Sequence, residues 1–143
     1  MPLYRKITPA VYWIVASLFV ILLFWGGRQP FAGRLFVSPY GEIAHFSAYA
    51  FLGMIFWMGT GEKRPVLVII LVSSIAALDE LQQTVIPFRT ASVGDFLIDV
   101  IAVCITIFLL KTSIISRETI RQQGLLILIG IGVGIIILMI LNR

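Results

Sequence analysis

Charge is scarce in this sequence. Only 13% of its residues are Asp, Glu, Lys or Arg, about half the share usual in a soluble domain. A single cysteine, Cys104, rules out an internal disulfide and the paired-Cys spacings of zinc and redox motifs, and its apolar setting reads as packing. Basic residues are scattered through short connectors instead of gathering on one face, so the net charge of +4 does not point to nucleic acid. There is no internal repeat and no low-complexity segment. What fills the space is apolar: 59% of residues are hydrophobic and the mean hydropathy is +1.04. The expected class is an all-α, polytopic membrane helical bundle, one domain spanning residues 1–143 with no separate soluble module.

Five apolar segments have spanning length, taking about 17–25 residues as the criterion. They lie near 8–26, 43–60, 65–84, 93–110 and 124–141. Pro9 suits the opening turn of the first, where its missing N–H has no partner to lose. The first segment exits through FWGGRQP, not a small-x-small cleavage site, and reads as a retained anchor helix. The last carries Gly130-x-x-x-Gly134, a pattern that permits close helix contact. Arg5, Lys6, Lys63, Arg64, Lys111, Arg117 and Arg121 fall on one side of this arrangement. Arg28, Arg34, Arg89 and Arg143 fall on the other. That excess places the N-terminus in the cytoplasm.

Four of the seven acidic residues sit between Asp79 and Asp99. The arrangement of spans explains them. The second span begins, the third ends and the fourth begins on one common side. Glu42, His45 and Tyr49 lie at the start of the second. Asp79, Glu80, Gln82 and Gln83 close the third, Arg89 stands in the connector, and Ser92, Asp95 and Asp99 open the fourth. A rise of ~1.5 Å per residue puts Asp99 only ~6 Å deeper than Asp95. Spacings of three and four give each helix one polar face. A charge facing lipid costs up to ~2.5–3.5 kcal/mol at a helix centre, so these groups are expected to face one another around a polar pocket near the outer membrane face.

Plainer roles stand beside this one. Ser92 three residues before Asp95 has the spacing of a capping box. Asp99 lies beyond the first turn and caps nothing. Arg89 either neutralises Asp79 or Glu80, or offers a guanidinium to a ligand's phosphate or carboxylate. Asp79 and Glu80 point about 100° apart on a helix, so one of them, Glu80 by preference, is expected to face the pocket. Trp13, Trp25 and Trp57 read as packing or belt aromatics.

The run Asp79-Glu80-x-x-Gln83 followed by Pro87-x-Arg89-Thr90-Ala91-Ser92-x-x-Asp95-x-x-x-Asp99 resembles the VanZ-like family of small bacterial membrane proteins. His45-Phe46-x-x-Tyr49-x-x-Leu52-Gly53 matches that family's other signature. The likeness covers roughly residues 41–103, within a family-like core of about 41–110. It departs at Gly41-Glu42, where members often carry Asp-Lys, at Phe88, where a glycine commonly precedes the arginine, and at Ala102, where a glycine is frequent. The resemblance implies a multi-pass protein of the bacterial plasma membrane working in the cell envelope. The family takes its name from a member associated with resistance to the glycopeptide teicoplanin.

Three functions follow as expectations. In the first, the pocket binds the head group of a membrane lipid or other amphiphilic envelope component, through Glu42, Tyr49, Asp79, Gln83, Arg89 and Ser92. In the second, the protein is an intramembrane hydrolase or phosphatase acting on a lipid or polyprenyl phosphate. His45, Glu80, Asp95 and Asp99 would then supply acid, base or, through Glu80, Asp95 and Asp99, ligands to a divalent cation. The third is a structural membrane subunit. Oligomeric state is not encoded in any feature of the sequence.

Overall fold

A computed structural model of the chain describes residues 8–29, 39–87 and 89–112. These residues form four α-helices: α1 (Pro9–Gly27), α2 (Tyr40–Gly59), α3 (Pro65–Gln83) and α4 (Val93–Lys111). There is no strand among them. Pro9 and Pro65 each open a helix, where fixed φ helps and the absent N–H costs nothing. Between α2 and α3 the chain reverses in a few residues, with Gly61 and Glu62 both in the left-handed region at φ 66° and 63°.

Nineteen residues span about 28 Å as a helix, close to the ~30 Å of a bilayer's hydrocarbon core. Three helices are long and apolar enough to cross a membrane: α1, α3 and α4. Four of the five expected spans are therefore helices, and three meet that measure. The fourth, α2, is interrupted by Glu42 and His45, and it is the helix with the most buried positions: Tyr49, Phe51, Leu52, Gly53, Ile55, Phe56, Trp57 and Gly59. The fifth expected span, with Gly130 and Gly134, lies outside the described residues, as does most of the connector before it. The described residues up to Phe108 belong to one compact unit.

The helices alternate in direction. The start of α1 meets the end of α2, where Trp13 Nε1 donates to the Gly59 carbonyl at 2.9 Å and the Trp13 ring packs edge-on against Phe56. Midway along the pair, Phe19 meets Phe51 in the same way. The end of α1 meets the end of α3, where Gln82 Nε2 donates to the Phe24 carbonyl at 2.9 Å. Gly59 and Phe24 lie in the last turns of their helices, where carbonyls have no intrahelical donor, so both bonds satisfy orphaned groups. On the other flank α2 and α4 run parallel, with Gly53 against Val103.

Apolar residues cover the outside. Leu18, Ile21, Leu22 and Trp25 of α1 are exposed, as are Val66, Leu67 and Ile70 of α3, and Leu97, Ile101, Ile105 and Phe108 of α4. Their recurrence at three and four residues makes continuous stripes. Meanwhile Asp79, Glu80, Gln82, Gln83 and Asp99 are buried. A soluble protein has the opposite distribution. This is a membrane protein.

Candidate functional site

The alternating directions bring four helix ends together: the starts of α2 and α4 and the finishes of α1 and α3. Each polar side chain is delivered by its own helix. His45 and Tyr49, four apart on α2, stack with ring centroids 6.2 Å apart. Asp79, Glu80 and Gln83 come from the closing turns of α3. Asp99 comes from the second turn of α4 and has no exposed surface. Gly27, at the end of α1, faces Asp79: a methyl placed there would lie 3.8 Å from Asp79 Oδ1.

Three sets of bonds order the cluster, two of them between helix ends and one within the end of α3. His45 Nδ1 lies 3.3 Å from each oxygen of Asp99, an ion pair when the imidazole is protonated. Gln83 Nε2 donates to Asp79 Oδ2 at 3.4 Å and to Glu80 Oε1 at 3.3 Å, so one amide holds both acids. The backbone N–H of Ser92 donates to Glu80 Oε2 at 2.6 Å, a charge-assisted bond that fixes the entry of α4 to the exit of α3.

The capping role expected of Ser92 is present in half. Asp95 N–H donates to Ser92 Oγ at 3.2 Å. The reciprocal bond to the Ser92 N–H comes from Glu80 on the neighbouring helix, not from Asp95. A carboxylate that in an isolated helix would be the third residue's is here supplied across the bundle.

Among the described residues three buried polar atoms make no hydrogen bond: Gln82 Oε1, the Tyr49 hydroxyl and Arg89 Nε. The Tyr49 hydroxyl is buried, 1% of the residue being exposed, and faces Asp79 without reaching hydrogen-bond geometry. Arg89 Nε is buried and unbonded among the described residues, although the guanidinium acts electrostatically on Asp79. Buried donors of this kind are normally satisfied, and one left alone calls for an explanation such as a ligand or water.

The divergence of Asp79 and Glu80 on a helix predicts that one of them, Glu80 by preference, faces the interior. Both are buried. Gln83 lies one turn on from each and reaches both, and α1 encloses Asp79 from the side that spacing alone leaves open. The acids named as candidate cation ligands do not all gather at one point. Ligand atoms of His45, Asp79 and Glu80 lie within 4.8 Å of one another, and this is the converging set among the described residues. Asp99 is engaged by His45, and the half-buried Asp95 sits in the first turn of α4, outside that set. Glu42 stands half-buried in the first turn of α2 and makes no hydrogen bond or ion pair with the described residues. The contribution of α1 was missed; its available signal was Gly26-Gly27, a stretch without side chains at the end of a span.

Comparison with known proteins gives one family. The VanZ/LLP1 sequence model matches residues 6–116, which takes in all four helices and every residue of the site. No curated protein and no solved structure matches the chain. With the matched segment covering most of its length, the chain belongs to the VanZ/LLP1 family.

Proposed function

We propose that this VanZ-type membrane protein binds the polar head group of a lipid or envelope precursor where α2 and α4 begin and α1 and α3 end. The observation that carries this reading is Arg89, whose buried Nε makes no hydrogen bond with the described residues while its charge acts on the buried Asp79. Arg suits this task because its planar donors match phosphate and carboxylate oxygens in a fork. Tyr49 and Gln83 add neutral hydrogen-bonding capacity at the same depth. The exposed apolar stripes let acyl or prenyl chains lie along the helices while the head group turns inward. By the count of basic residues, this end of the bundle belongs at the outer face of a bacterial plasma membrane, with the chain crossing several times and its N-terminus in the cytoplasm.

Native mass spectrometry of the purified protein tests the reading. A co-bound phosphate-headed amphiphile is expected in the wild type, at least tenfold depleted in Arg89→Ala and partly retained in Arg89→Lys. Equal occupancy in all three would contradict it. In cells, expression in a glycopeptide-susceptible host is expected to raise the teicoplanin dose tolerated, and Arg89→Ala to abolish the gain.

A second reading, an intramembrane hydrolase of lipid or polyprenyl phosphates, is favoured by one specific contact. Asp99 on His45 Nδ1 is the arrangement that orients an imidazole for proton transfer at its other nitrogen. Phosphate release from lipid phosphates by the purified protein, abolished in His45→Gln, is the expected result of that chemistry. No release across head-group classes, with binding intact, leaves the binding role.

A further inference from the structure

We infer that His45, Asp79 and Glu80 bind a divalent cation, and that the ion joins the acidic cluster to an anionic head group. This deepens the head-group reading and rests on it for the role of the ion, though not for the ion's binding. Three carboxylates, Asp79, Glu80 and Asp99, are buried around one imidazole, with Arg89 acting on Asp79. Such a cluster repels a phosphate unless positive charge stands between them.

The ligand atoms are already gathered. One from each of His45, Asp79 and Glu80 lies within 4.8 Å of the others. Around an ion with bonds of ~2.0–2.2 Å the same atoms would stand ~3–4 Å apart, which side-chain shifts of about 1 Å achieve. The surrounding groups are those that orient ligands. Asp99 holds His45 Nδ1, leaving Nε2 as the ligating nitrogen, the carboxylate–histidine–metal pattern. Gln83 holds one oxygen of each acid, and the Ser92 N–H holds the second oxygen of Glu80.

The Tyr49 hydroxyl is a further oxygen at the same place. It is buried beside Asp79 and makes no hydrogen bond of full geometry with the described residues, which leaves it able to bond an oxygen carried by the ion, whether from water or from phosphate. Two carboxylates and one imidazole with open positions suit a first-row ion such as Mn2+ better than Ca2+, which prefers oxygen alone.

The test uses the full chain in a maltoside detergent, which offers no phosphate, with Mn2+ as the probe and electron paramagnetic resonance as the readout. One Mn2+ per chain is expected, with nitrogen hyperfine coupling from an imidazole. His45→Gln is expected to lose that coupling and at least tenfold in affinity, and Asp79→Asn and Glu80→Gln the same tenfold. Asp99→Asn is expected to weaken binding while the coupling persists, because that residue positions His45 and does not touch the ion. Glu62→Gln, in the turn at the opposite end of the bundle, leaves binding unchanged. Circular dichroism of each variant separates lost ligands from lost fold.

No stoichiometric Mn2+ overturns the inference. So does stoichiometric ion without nitrogen coupling, or dependence on Asp95 instead of Asp79. Adding a phosphate-headed amphiphile then separates the two claims. Amphiphile bound equally well in chelator defeats the ion's role alone, and ion bound without any amphiphile affinity defeats the head-group reading alone.

Discussion

Asp99→Asn keeps the shape of a side chain with no exposed surface and removes only its charge. Burying a carboxylate is expensive, and the asparagine amide can still hydrogen-bond a neutral His45 ring, so no uncompensated charge is left behind. The asparagine variant is therefore expected to unfold at the same temperature or slightly higher, while amphiphile binding falls at least tenfold, about 1.4 kcal/mol. Parallel melting and binding curves check this; a variant that loses stability and binding together would make Asp99 a packing residue. That Glu80, Gln83 and Asp99 turn inward was legible in the sequence, because a charged or polar group in an apolar span is conspicuous. What could not be read was which acids share a partner. Asp79 and Glu80 diverge on a helical wheel, yet Gln83 bonds both, and only the neighbouring helices decide that both directions lead inward. The same holds for Glu42, which shares a helical face with His45 by spacing but stays in the first turn of α2, away from the network.

Gly53 shows what holds the elements at their separation. A methyl added there would stand 2.9 Å from Val103 Cγ2, inside any tolerable contact, so α2 and α4 approach as closely as a glycine permits. Gly53→Ala is expected to cost about 1–3 kcal/mol by overpacking, with Val103→Ala in the same chain recovering most of it. Chemical unfolding in detergent of the two single variants and the double variant measures this, and strict additivity would contradict it. Ser92→Ala is expected to cost about 1 kcal/mol through the lost cap, with the bond from its backbone N–H to Glu80 retained; an unchanged unfolding midpoint would show the cap to be idle. The helices themselves were predicted within three residues at every described boundary, since long apolar runs bounded by prolines and charges leave little choice. The start of α2 was the poorest, at 40 in place of 43, because Glu42 breaks the apolar run without breaking the helix. The cross-helix half of the Ser92 cap had no signal in spacing, which describes one helix at a time.

The bundle as a whole is arranged so that apolar stripes face outward and the acids, imidazole and guanidinium meet where four helix ends converge. If the count of basic residues sets its orientation, that end faces outward from the cell. In a Cys104→Ser background, Thr90→Cys is expected to react with a membrane-impermeant maleimide on intact cells and Lys63→Cys to react only after lysis; the reverse pattern would invert the topology. Convergence was readable from the alternation of spans, but the place of α1 in it was not. Its contribution is a carbonyl, Phe24, and a bare glycine surface, Gly27, and neither leaves a polar side chain to notice. The most direct measurement is the affinity of the purified protein in nanodiscs for a phosphate-headed amphiphile, taken with the unfolding temperature of the same samples. Wild type is compared with Glu80→Gln, Asp99→Asn and Arg89→Ala. A working site predicts at least tenfold weaker binding in each variant with unfolding temperatures within about 3 °C of wild type. Unchanged affinity, or affinity lost only in step with stability, would show that the buried polar cluster serves the packing of the helices and nothing more.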